Sequence, residues 1–162
     1  MNDLTGRMRA ALAETFMFYV EAHICHWNVE GPTFSQLHSL FGEIYSDAHD
    51  AVDGIAERIR TLGEKAPETA AQLTEGSEID ADRSLSGPAE MVEALREDNS
   101  LVIACLEAAQ EAAEEAQRTG IANFLQDRID KHAKWDWMLT ATLKAHSKNT
   151  TLRRAVLYDR VA

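Results

Sequence analysis

The chain has 162 residues, 45% of them apolar and 27% charged. That is the size and make-up of one domain with a real core, and it excludes both wholesale disorder and a multidomain enzyme with separate cofactor and substrate lobes. A balance of 16 Lys and Arg against 27 Asp and Glu, net −11, argues against a basic nucleic-acid-binding face and suits the gathering of cations.

Only 3 Pro and 8 Gly, among abundant Ala and Glu, favour helix over sheet. From Asp3 to about Glu30, Leu4, Met8, Leu12, Phe16, Val20, Ile24 and Trp27 recur at three- and four-residue steps, the stripe of an amphipathic helix. Asn2 or Asp3 can cap its start, and Gly31-Pro32 stops it. Thr33-Phe34-Ser35-Gln36 reads as a capping box opening a second helix. Its stripe runs through Leu37, Leu40, Phe41, Ile44, Tyr45, Ala48, Val52, Ile55, Ala56, Ile59 and Leu62 to Gly63. So short a turn makes the two helices an antiparallel hairpin.

Residues 64–87 break the rhythm and predict a long connection with a short helical turn at Glu68–Leu73. A third helix starts near Pro88, a good first-turn residue, and runs to about Arg118 with Met91, Leu95, Val102, Leu106, Ala109 and Ala113 on one face. Thr119-Gly120 separates it from a fourth, about Ile121 to His146, carrying Phe124, Leu125, Ile129, Trp135, Met138 and Leu143. Residues 148–162 read as a short C-terminal tail of one single domain, 1–162. Short, long, short connections give an all-α, ferritin-like four-helix bundle with a crossover between helices two and three. Cys25 and Cys105 form no CxxC, no run of 18 apolar residues exists, and the N-terminus lacks an apolar signal core. The expectation is a cytoplasmic protein with reduced thiols and no membrane association.

There is no phosphate loop and no nucleophile elbow. No Glu has a His three residues later, so the Glu-x-x-His pairs of an intrachain di-iron site are absent. The first hairpin offers an alternative. His26 near the end of helix one and His38 one turn into helix two flank the same turn, and imidazole from two helices suits iron, zinc or copper. Asp53 and Glu57, four apart on helix two, share a face and would favour iron. Asp53 lies fifteen residues beyond His38, roughly 22 Å along a helix, so one chain cannot bring all four onto one metal. Two antiparallel copies can, which places any such site between subunits related by a two-fold axis. On spacing alone, a histidine on an apolar face is more often a hydrogen-bonded core residue, and an Asp-x-x-x-Glu a solvated face.

The stretch His23-Ile24-Cys25-His26-Trp27-Asn28-Val29-Glu30-Gly31-Pro32, then Phe34, Leu37-His38, Tyr45 and Asp53-Gly54-Ile55-Ala56-Glu57-Arg58-Ile59, ending at Leu62-Gly63, closely resembles the Dps mini-ferritins (DNA-binding proteins from starved cells). Arg128, His132, Lys134 and Trp137-Met138-Leu139 look like a second family motif. The resemblance implies a homo-dodecameric hollow shell built from two-fold dimers. Its ferroxidase sites would hold Fe²⁺ on His26 and His38 of one subunit and Asp53 and Glu57 of another. Hydrogen peroxide, or oxygen less well, would oxidise the iron, Fe³⁺ mineral would be stored inside, and the cell would be protected from oxidative damage. Trp27, beside the site in the motif, is a candidate electron donor, with plain packing as the alternative.

Departures from the family pattern carry their own expectations. Gly42 falls where many relatives have an Asp that helps hold a second iron, so that position is expected to be weak or water-ligated. His49, four residues before Asp53, is a candidate substitute ligand or an interface histidine. His23 is a candidate orienting partner for His26, or a surface contact. Ala133 replaces a Glu near the family's iron-entry pores, where Asp127 and Asp130 are candidate pore acids or a solvated face. Arg58 is expected in a structural ion pair. The N-terminus is not Lys-rich, so DNA binding is expected to be weak or absent. A nucleoid-associated, DNA-protecting protein sharing the shell is the rival reading, and an inert helical scaffold the other.

Overall fold

The computed structural model describes the backbone of residues 4–80 and 82–158, and side chains as far as residue 144. Four long helices and one short one follow in order: α1 (Leu4–Asn28), α2 (Phe34–Thr61), α3 (Ala70–Thr74), α4 (Pro88–Glu115) and α5 (Thr119–Tyr158). α1 packs along α2 and α4 along α5, and the two hairpins join chiefly through α1 against α4. This is the expected bundle with a long crossover. The expected caps Asn2 and Asp3 lie outside the described residues.

α1 departs from its predicted stripe. Leu4, Met8 and Leu12 are buried, but further along Ala11, Thr15, Phe18, Ala22 and Cys25 take the core positions. Ile24 and Trp27 are exposed. A helix squeezed between α2 and α4 buries two faces, so a single-stripe reading drifts off the true core. α2 and α4 bury the faces expected of them, among them Leu37, Phe41, Ile44, Ile55 and Ile59, and Met91, Leu95, Val102 and Leu106.

The capping box at Thr33 does not form. Thr33 has φ −101° and ψ 11° and makes no side-chain cap, because a capping hydroxyl needs extended backbone to reach the N–H groups ahead of it. The turn is closed instead by Phe34 N–H donating to the Gly31 carbonyl at 3.0 Å, with Gly31 at φ 101°, a conformation glycine adopts without a steric penalty. α3 is capped by Thr69, whose hydroxyl accepts from Gln72 N–H at 3.2 Å. α5 continues to Tyr158, 40 residues in all, beyond the end expected at His146, so residues 148–158 are helix where a tail was expected. Residues 159–162 of that tail lie outside the described residues.

The crossover is tied down by buried acids. Glu14 accepts from Ser77 Oγ at 2.8 Å and from Glu78 N–H at 2.7 Å. Arg83 bonds Asp98 of α4 and stands 3.4 Å from Glu21 of α1. Ile79 is buried in the core between these two anchor points. No helix among the described residues is long and apolar enough to cross a membrane.

Candidate metal centre

The tight turn between α1 and α2 sets His26 of α1 directly against His38 of α2. The two rings stack with centroids 3.6 Å apart and planes 22° from parallel. His26 Nδ1 lies 2.7 Å from the His38 carbonyl oxygen, and His38 Nδ1 lies 2.8 Å from the His26 carbonyl oxygen. A carbonyl only accepts, so each Nδ1 carries the proton and donates it. In the neutral ring this tautomer leaves Nε2 as the lone-pair nitrogen, the one free to bind a metal. Both side chains are half-buried.

Gly42 lies one turn beyond His38, under the His26 ring. A Cβ there would sit 3.3 Å from His26 Cε1 and Nδ1. His23 stacks on Tyr45 at 4.0 Å and lies 4.1 Å from Trp27. It reaches His26 only by a tilted ring contact at 6.1 Å. Burial, helped by the neighbouring His26 and His49, pushes the His23 imidazole below its ordinary value. Trp27 is 64% exposed. His49 meets Tyr19 edge-on at 5.1 Å, with its Nδ1 3.7 Å from the Asp50 carboxylate.

Asp53 and Glu57 lie on α2, exposed, on the face one turn apart that their spacing predicts. They are not brought to the histidines of their own chain. Among the described residues no three His, Cys, Asp or Glu side chains converge to hold a metal. Arg58, expected in an ion pair, donates instead to the Gly54 carbonyl at 2.8 Å and lies 3.5 Å above the Phe124 ring. Its role is structural, but it works by stacking α2 on α5. A Cβ on Gly54 would come within 3.0 Å of the same Phe124 ring, so the glycine between Asp53 and Glu57 makes room for that packing.

Of the second motif, Arg128 and His132 enter a buried polar network, while Lys134 and Trp137 stay exposed. Arg128 grips Asp47 through two bonds of 3.1 and 2.7 Å, and Trp135 Nε1 donates to the same carboxylate at 3.2 Å. Burial pushes the Asp47 carboxyl up, but Arg128, Trp135 and Lys131 outweigh it and hold the group below its ordinary value. His132 is fully buried. Its Nδ1 donates to Asn99 Oδ1 at 2.7 Å, and Asn99 Nδ2 donates back to the His132 carbonyl at 3.0 Å. Burial first, then the charge of Arg128, pushes its pKa down to about 3. Asp47, Asn99, Glu14, Glu21, Arg83 and Asp98 were not anticipated. The spacing Glu14, Phe18, Glu21, Cys25 was the available signal, a second helical stripe with acids in it. Asp127 and Asp130 are exposed on α5, with Asp130 accepting from Gln126 at 3.3 Å.

Comparison with known proteins agrees with this architecture. The ferritin-like domain matches residues 7–148. The DNA protection during starvation protein of Brevibacillus brevis is 33% identical over 136 residues, covering 82% of this chain and 89% of its own. The Dps structure from Staphylococcus aureus superposes with a TM-score of 0.82 at 29% identity, covering 88% of this chain and 96% of its own. The Vibrio cholerae Dps, described as one of the ferritin-like diiron-carboxylate proteins, gives 0.82 at 28% identity, covering 87% and 89%. A bundle whose first hairpin presents paired histidines, with these relatives, makes the chain a member of the Dps family of ferritin-like proteins.

Proposed function

We propose that the protein is a ferroxidase and iron store. Its sites lie between two copies of the chain: His26 and His38 of one, Asp53 and Glu57 of the other. The observation that carries this is the reciprocal bonding of the two histidines, which engages both Nδ1 atoms and leaves both Nε2 atoms without a partner in those bonds. Two imidazoles with two carboxylates form a donor set that suits Fe²⁺. Exposed Trp27 and Phe34 beside the histidines give a second copy an apolar surface to cover.

In this reading the copies assemble as a homo-dodecamer of two-fold dimers in the cytoplasm, associated with the nucleoid or free of it. Fe²⁺ is the substrate and hydrogen peroxide the preferred oxidant over oxygen. Two Fe²⁺ supply the two electrons that turn one peroxide into water, so no hydroxyl radical escapes. Fe³⁺ mineral collects inside, and the outcome is protection from oxidative damage. Trp27 stands ready to donate an electron, His49 and His23 flank the site, and Asp127 and Asp130 draw Fe²⁺ to the pores. The relatives named for DNA protection support a second reading, a nucleoid-packing shell with little ferroxidase role; the net charge of −11 opposes it.

Mixing two inactive variants tests the shared site. His26→Ala and Asp53→Ala shells should each lose peroxide-driven Fe²⁺ oxidation. Dissociated and reassembled together, they should recover about a quarter of wild-type activity, because half of the dimers are mixed and each mixed dimer has one intact site. No recovery would place the ligands within one chain, and full activity in either single variant would remove iron oxidation from these residues.

A further inference from the structure

Away from the histidines, a cavity of about 460 Å³ opens to solvent where the end of α2 meets the start of α5. Buried Ile121 and half-buried Leu62 give it an apolar wall, and Arg58, Thr61, Arg118 and Gly120 also line it. Arg58 is held in place there, its guanidinium 3.5 Å above the Phe124 ring and bonded to the Gly54 carbonyl. None of the buried side-chain atoms without a hydrogen-bond partner among the described residues lies on this wall, so no orphaned group there calls for a polar ligand. Apolar side chains with guanidinium groups beside them form a surface that suits an aromatic ring.

At the other end of α2 the hairpin tip lacks cover. Of the large apolar side chains exposed among the described residues, Ile24, Trp27 and Phe34 stand at this end, with Trp137 the exception. Phe34 is 44% exposed, its ring 5.0 Å from that of His38. Within one chain Phe34 and the cavity are roughly 40 Å apart, since Phe34 opens α2 and Thr61 closes it. The two-copy site proposed above, on which this step rests, brings them together. It sets His38 of one copy against Asp53 and Glu57 of the other, with α2 antiparallel to α2. One helical turn from His38 toward the tip is Phe34; the matching turn from Glu57, toward the end of α2, is Thr61 on the cavity wall. We infer that this cavity is the socket for Phe34 of a second copy, whose ring packs on Leu62 and Ile121 beside Arg58. The contact is reciprocal, so each two-fold pair has two such knobs. Seating Phe34 fixes how far one α2 slides along the other, the coordinate that decides whether His26 and His38 reach Asp53 and Glu57.

Cross-linking tests the contact directly. In a chain carrying Ser35→Cys and Gly120→Cys, with Phe34 kept, the two thiols sit at opposite ends of one bundle, so a short bis-maleimide joins them only between copies. The assembled protein should yield the 35–120 linked peptide in mass spectrometry. Gly120→Phe tests the fit. A Cβ at Gly120 meets nothing within 4 Å in its own chain, so circular dichroism should show the bundle intact while the added ring fills the socket. In a dilution series followed by native mass spectrometry, this variant should dissociate at protein concentrations about tenfold or more above wild type. Adding Phe34→Ala to Gly120→Phe should recover part of that loss, because the two rings compete for one space. The inference is overturned if Gly120→Phe assembles like wild type, or if no 35–120 link forms while mixed His26→Ala and Asp53→Ala shells regain Fe²⁺ oxidation. Absence of both the link and the regained oxidation overturns the shared-site reading along with it.

Discussion

Neither His26 nor His38 can rotate without breaking its bond to the other's carbonyl, so the pair is pre-set in one orientation, as the proposed iron site requires. Gly42 is part of that setting. Alanine at this helical position would gain roughly 1 kcal/mol in propensity, but its Cβ would stand 3.3 Å from the His26 ring, and the ring must shift by a few tenths of an ångström. Gly42→Ala should therefore be as thermally stable as wild type or slightly more so, yet oxidise Fe²⁺ roughly threefold more slowly, since small misplacements of a positioned group cost rate. Stopped-flow traces beside thermal melts would show it; a slow variant that also melts early would mean the fold, not the histidine, had suffered. At this scale the sequence was legible where spacing and turn length act together, as at His26 and His38. It was silent where a residue's partner comes from a remote helix. Arg58 was expected to find an acid and found the Phe124 ring, because nothing local announces an aromatic face 66 positions away.

Among the elements, the α4–α5 turn holds a conformational expense with no local recompense. Gln117 sits at φ 54°, while Arg118 N–H bonds the Ala113 carbonyl at 2.8 Å and Gln117 N–H the Glu114 carbonyl at 2.9 Å. That pair of bonds is the Schellman closure, which prefers glycine at the left-handed position. Gln117→Gly should stabilise the protein by about 0.5–1 kcal/mol, read as a rise of about 1–4 °C in the melting midpoint; a fall would mean the glutamine side chain makes a compensating contact. The helices themselves were readable because the stripes expected of α2 and α4 are among the faces they bury, α4 packing on both α1 and α5. α1 was misread in its second half because polar and small residues, Glu14, Thr15, Ala22 and Cys25, take its buried positions against α2 and α4. The end of α5 was misplaced because residues 147–158 have a polar, basic composition that resembles a tail, and composition does not forbid helix. The crossover looked like loose chain, yet Glu14 and Glu21 hold it to α1; acids inside an apolar stripe marked those positions.

For the molecule as a whole, charge decides two outcomes. His132 is held neutral in the fold, its pKa pushed down to about 3 by burial and Arg128, against an ordinary value near 6.5. Its contribution to stability is complete above about 6.5. It drains away as pH falls toward about 3, because the unfolded chain takes up a proton the native site refuses. His132→Gln should flatten that part of the acid-unfolding profile while lowering stability at neutral pH, as followed by circular dichroism; an unchanged slope would assign the acid sensitivity to other groups. The second outcome concerns DNA. The N-terminal cations Arg7 and Arg9 belong to α1 rather than to a free arm, and Arg9 donates to the Lys65 carbonyl at 2.9 Å. Residues 64–99 hold ten acids against three bases, and the net charge of −11 is repeated in every copy of an assembled shell. Lys144, Lys148, Arg153, Arg154 and Arg160 are the opposing cations near the C-terminus. Contacts through so few cations on an anionic body gain mainly by releasing counterions, and that gain disappears as salt rises. In a gel-shift titration, any retardation of duplex DNA seen at about 20 mM salt should be gone by about 150 mM. Retardation that persists there would show that the basic C-terminal segment outweighs the body, and would move the protein toward the DNA-protecting reading.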